Sequence, residues 1–148
     1  SSRQAVMRVE EKKRLLEESL ERVVEQIGDI TQPTMERFYL GFPDARDAFE
    51  RLWQGNRSQL EGEMVERALY CLMYWFDSPG EIEIMLGGSV LHHNDTLHVP
   101  PEWYAGLIDA TIDVIVATIP PANGAELEVW DELRRELGGL VEHSRQFL

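Results

Sequence analysis

A single cysteine, Cys71, occurs in the 148 residues, so no internal disulfide can staple the chain and compactness must come from buried apolar surface. Cys71 stands in the apolar run ALYCLMYW, where a packed thiol is expected rather than a reactive one. Basic residues are also scarce: 14 Lys and Arg face 27 Asp and Glu, a formal charge of −13. That balance repels phosphate backbones and anionic lipid, so neither nucleic acid nor a membrane surface is an expected partner. No apolar run approaches the roughly 18 residues that span a bilayer. No basic and apolar leader is evident, and the opening Ser1-Ser2 without methionine reads as a processed start; a cytoplasmic location is the expectation. There is no G-x-G-x-x-G turn, no repeat and no alternating apolar segment, and no histidine precedes His92.

What is present is helical periodicity. The hydrophobic share of 43% suits one globular domain. From Lys12 to Ile27, Leu16, Leu20, Val23, Val24 and Ile27 recur at spacings of three and four, the mark of an amphipathic helix. GDITQPT interrupts, and a short helix resumes from Thr34 to Leu40, which Pro43 ends or kinks. Gln59 to Phe76 carries the strongest stripe: Leu60, Met64, Val65, Ala68, Leu69, Leu72, Met73 and Phe76. DSPG stops it, and a shorter segment runs from Glu81 to His93. Pro100-Pro101 opens the next helix, since proline's missing N–H costs nothing in a first turn. The PPANG break follows, and a last helix carries Leu127, Trp130, Leu133, Leu137, Leu140 and Val141. Asn123-Gly124, with no alternating segment beside it, reads as a helix–helix connection. The fold class is all-α, with residues 1–11 as an amino-terminal extension and 12–148 as one domain.

Three of the four histidines fall within seven positions, in LHHNDTLHVPPEWY. A histidine near a helix C-terminus commonly just meets the helix dipole and free carbonyls. Neighbouring positions on a helix point about 100° apart, so His92 and His93 cannot both address one metal ion. A zinc site from His92, His93, Asp95 and His98 has competent chemistry but needs an unusual loop.

The order of these landmarks resembles the globin family, specifically the bacterial single-domain haemoglobins and the haem domain of flavohaemoglobins. The resemblance runs from about Leu15 to Phe147. It is carried by Ser19-Leu20, by Phe38-Tyr39 with Pro43, Arg46 and Phe49 at set spacing, by His93 six residues before Val99-Pro100, by PPEWY, and by the Trp-centred VWDELRRELGGLV. It implies a three-over-three helical sandwich holding haem b, with His93 as proximal iron ligand and His92 as its rival. Phe49 would pack on the porphyrin, His98 and Val99 would lie near its edge, and Tyr104 would face the proximal side. The last-helix carboxylate partner of that tyrosine has no clear counterpart, its place falling near Arg145 with Glu142 one turn earlier.

On the distal side Met35 stands where relatives place a tyrosine. The gate is Gln59, Glu61 or Met64, depending on where the corner's length difference is placed, and Ala68 follows Met64 by one turn. Gln59 could donate a hydrogen bond to bound oxygen, whereas Met35 and Met64 would make an apolar pocket or supply a thioether. On residue type alone, methionines on an apolar stripe are ordinary core filler. The implied role is reversible binding of oxygen, carbon monoxide or nitric oxide rather than turnover, in a monomer or homodimer. Nitric-oxide dioxygenation would need an external reductase, because the chain is too short to carry its own. The alternative, from another class, is a non-haem globin-fold sensory or dimerisation domain whose pocket is filled by side chains.

Overall fold

The computed structural model describes residues 6–97 and 99–146, with the side chains of 91–97 outside the description. Among the described residues every regular element is a helix: α1 (Val9–Gln26), α2 (Thr31–Gly41), α3 (Pro43–Leu52), α4 (Arg57–Tyr74), α5 (Pro79–Leu97), α6 (Pro101–Val116) and α7 (Gly124–Arg145). None of them is long and apolar enough to cross a membrane.

Helix α1 begins at Val9, inside the stretch expected as an extension, and buries Leu15, Leu16, Ser19 and Val23. Val24 and Ile27, expected on the same stripe, are exposed; Leu16, Ser19 and Val23 already complete the i, i+3, i+7 seam, and the next residue is turned about 100° away. Gly28 ends the helix with φ 83° while its N–H and that of Ile27 return to the Val23 carbonyl, a left-handed cap that favours glycine. Pro43 does more than stop α2: it is the first residue of α3, where a ring-locked φ suits a helix start. Helix α5 extends four residues beyond the expected His93, to Leu97.

Helices α6 and α7 are joined by a short connection and pack on one another, with α1, α2, α4 and α5 laid against this pair. The core they enclose includes Phe38, Leu72, Ile82, Ile112, Ile115, Trp130, Leu133 and Leu137. Two contacts fix the layers. At Gly106 of α6 a Cβ would collide with the ring of Phe42, the residue between α2 and α3, so glycine lets that corner lie close against α6. Between α1 and α7, buried Glu126 accepts hydrogen bonds from Ser19 Oγ, from Arg22 (2.5 and 3.2 Å) and from Asn123 Nδ2 (3.2 Å), while Trp130 Nε1 donates to Ser19 Oγ at 2.8 Å. Burial opposes the Glu126 charge, but the bonds from Arg22, Ser19 and Asn123 outweigh it and hold the carboxyl below its ordinary value.

Candidate functional site

Helix α4 presents Leu60, Met64 and Ala68 at i, i+4, i+8, and Glu63, Arg67 and Cys71 on the adjoining edge. Opposite them stand Met85, Leu86 and Ser89 of α5 and Trp103, Tyr104, Leu107 and Ile108 of α6, with Phe49, Trp53 and Val99 closing the ends. Together they enclose a mainly apolar cavity of about 230 Å³. Phe49 is buried and held between other rings: Trp103 meets it edge-on at 5.5 Å and Phe38 stacks at 6.3 Å between centroids. Those contacts leave its ring little freedom.

Polar groups on the cavity are few. Arg67 is its only cationic side chain and Glu63 its only anionic one among the described lining residues. Tyr104 is half-buried and donates to the Ser89 carbonyl at 3.3 Å. Burial raises its phenol above the ordinary value, against the opposing charge of Arg67. The same two influences act on Cys71, where burial wins and pushes the thiol up to about 11. Such a thiol stays protonated at neutral pH, as its place in the apolar run leads one to expect.

Five of the residues singled out from the sequence meet at this cavity: Phe49, Met64, Ala68, Val99 and Tyr104. Met35 is buried in the core on α2 and does not line it. Of the other two residues weighed as a gate, Gln59 is exposed and donates to Glu63 at 3.4 Å, while Glu61 accepts from the Tyr39 hydroxyl at 2.6 Å. Glu61 therefore ties α4 to α2 instead of facing the cavity. His98 and the side chains of His92 and His93 lie outside the described residues; along the backbone of α5, positions 92 and 93 follow cavity-lining Ser89 by three and four residues.

Arg67, Trp53, Met85 and Ser89 also line the cavity, without a mark that sets them apart in the sequence. Arg67 lies three residues after Met64, but a charged residue on a strongly apolar helix reads first as part of the solvated face. A broader open groove, about 660 Å³, runs between α2, α6 and α7. Ion pairs flank it, Arg37 with Asp113 at 2.8 Å and Arg145 with Glu102 at 2.9 Å. Comparison of the chain with family models, with curated proteins and with solved structures finds no match.

The lining is mainly aliphatic and aromatic, with one cation, Arg67, and one anion, Glu63, at its edge among the described residues. Among the described residues no group of three or more His, Cys, Asp and Glu could hold a bare metal ion. The cavity's described lining offers the Met64 and Met85 thioethers, the Cys71 thiol, the Tyr104 and Ser89 hydroxyls and the Trp53 and Trp103 indoles, besides the charged Arg67 and Glu63.

Proposed function

We propose that the chain is a globin of three-over-three arrangement that binds haem b through His93 and reversibly takes up a diatomic gas, as a cytoplasmic monomer or homodimer. The observation that carries this reading is the convergence of Phe49, Met64, Ala68, Val99 and Tyr104, separated by up to 55 positions in sequence, on one apolar cavity. When bound, haem would supply an iron centre with a position open to the gas. The chain's own part is to exclude water and hold the cofactor. Phe49, braced by Phe38 and Trp103, forms one wall, Met64 and Ala68 form another, and Arg67 could pair with a carboxylate edge in spite of Glu63 beside it. Positions 92 and 93 both follow Ser89 at helical spacing, three and four residues on, so the choice of His93 over His92 rests on its spacing to Val99-Pro100.

The role is binding rather than turnover, and nitric-oxide dioxygenation would require an external reductase. A non-haem domain of globin shape is the second reading. It is favoured by the cavity's modest size, about 230 Å³, where small-molecule sites usually span about 300–1,000 Å³. Protein produced with haem supplied decides between them. A Soret band in the purified wild type, lost in His93→Gly and kept in His92→Ala, supports the haem reading. The reverse pattern moves the ligand to His92. Colourless wild type with native helix content leaves the non-haem reading.

A further inference from the structure

Glu126 has a neighbour whose covalent chemistry bears on the α1–α7 contact, whatever fills the cavity. Asn123 is the residue before α7 and Gly124 the first within it. Asn123 Nδ2 donates to Glu126 Oε1 at 3.2 Å, so the side-chain amide is one of the groups that keep a buried carboxylate ionised. Gly124 is exposed, and nothing lies within 4 Å of where its Cβ would be. Its N–H is the first amide of the helix, one of the donors that the helix itself leaves without an acceptor. An asparagine followed by glycine is the pairing in which the next amide nitrogen meets least steric hindrance on approaching the side-chain carbonyl carbon.

We propose that Asn123-Gly124 is a site of non-enzymatic deamidation, and that the carboxylate it creates disables the buried Glu126 contact between α1 and α7. Gly124 N gives up its proton to water and forms a bond to Asn123 Cγ. The Cγ–Nδ2 bond breaks and ammonia leaves, giving a succinimide. Water then opens the ring to aspartate or isoaspartate. One water enters and one ammonia departs, with no oxidation or reduction. The product replaces a donor to Glu126 with a second carboxylate at hydrogen-bond range. An acid before a helix is ordinarily favourable, and Asn123 makes no side-chain capping bond that would be lost. Here, however, Glu126 already holds that field, 2% exposed, where like charges are poorly screened. Repulsion outweighs the helix dipole, and the modified chain is the less stable one.

The full chain is incubated at mildly alkaline pH and physiological temperature, then mapped by mass spectrometry and followed by thermal unfolding. The expected result is conversion at Asn123 to an aspartate and isoaspartate mixture, with a matching population of lower Tm. Gly124→Ala, which the open space around Gly124 tolerates, should slow conversion roughly tenfold or more by crowding the attack. Asn123→Asp made directly should lower Tm by about 3–8 °C at neutral pH. That deficit should shrink as Glu126 is protonated, and should largely vanish in the double variant with Glu126→Gln. Absence of conversion in the folded chain, over a period in which the urea-unfolded chain converts fully, overturns the site. An Asn123→Asp chain with unchanged or raised Tm overturns the consequence.

Discussion

Replacing Glu126 by alanine should be among the most damaging single changes outside the apolar core. The side chain is 2% exposed and meets Arg22, Ser19 and Asn123 at once. Removing one partner of a buried ion pair costs about 3–5 kcal/mol, chiefly because the other charge stays without compensation. Arg22 keeps 21% of its side-chain surface in water, which places the expected loss near the lower end, about 3 kcal/mol. Against a total stability of about 5–15 kcal/mol, that is a large fraction. Glu126→Gln keeps the shape and one acceptor and should cost less. The folded carboxyl lies below its ordinary value, so its contribution is complete above the unfolded value near 4.3 and fades as pH falls through the folded one. Urea unfolding at pH 7 and at successively lower pH should therefore show the wild-type advantage over Glu126→Gln shrinking into acid. A loss under about 1 kcal/mol for Glu126→Ala, or a wild-type advantage over Glu126→Gln that persists undiminished in acid, would mean that the Glu126 carboxylate does not hold α1 to α7.

Gly106→Ala should destabilise by about 1–3 kcal/mol in denaturant unfolding, because its Cβ meets the Phe42 ring, while Gly88→Ala, with open space around it, should be neutral or stabilise by about 0.5–1 kcal/mol. Equal effects at the two sites would contradict the close approach of the Phe42 corner to α6. Phe49→Ala should cost about 3–5 kcal/mol and, on the haem reading, should speed haem loss to an acceptor protein more than it lowers helix content by circular dichroism. Gln59→Leu should leave the carbon-monoxide-to-oxygen affinity ratio of haem-loaded protein unchanged, because Gln59 is exposed and bonded to Glu63; a raised ratio would place Gln59 at the ligand.

The helices with one wide apolar face are legible in the amino-acid order, because burial there obeys a period the residues display. Helix α4 shows both the reach and the limit of that logic. Val65, Ala68 and Leu72 are buried as its stripe implies, yet Met73 is 41% exposed, since a stripe wider than the neighbouring helices must leave one margin in water. Pro43 is ambiguous in principle: the same ring that halts α2 is well placed to begin α3, and only the following Asp44–Leu52 packing decides. The Ser19–Glu126 contact lies beyond local pattern altogether, since its members are 107 positions apart and a glutamate early in a helix reads as a surface charge facing the dipole. At the cavity, i, i+4 spacing suffices to pair Met64 with Ala68, and the next step along the same face leads to Cys71. Whether Gln59, Glu61 or Met64 turns inward depends on the rotation of α4 against α2, set by the Tyr39–Glu61 bond, which no periodicity encodes.

Titration of the haem-free chain with haemin, followed by the Soret band and by tryptophan fluorescence together, tests whether the cavity takes up haem. Trp53 and Trp103 line the cavity, so a porphyrin seated there must quench them. Both signals should saturate together at one haem per chain, and Phe49→Ala should weaken them in parallel. A Soret change that never saturates, or saturation without tryptophan quenching, would contradict haem uptake by the cavity.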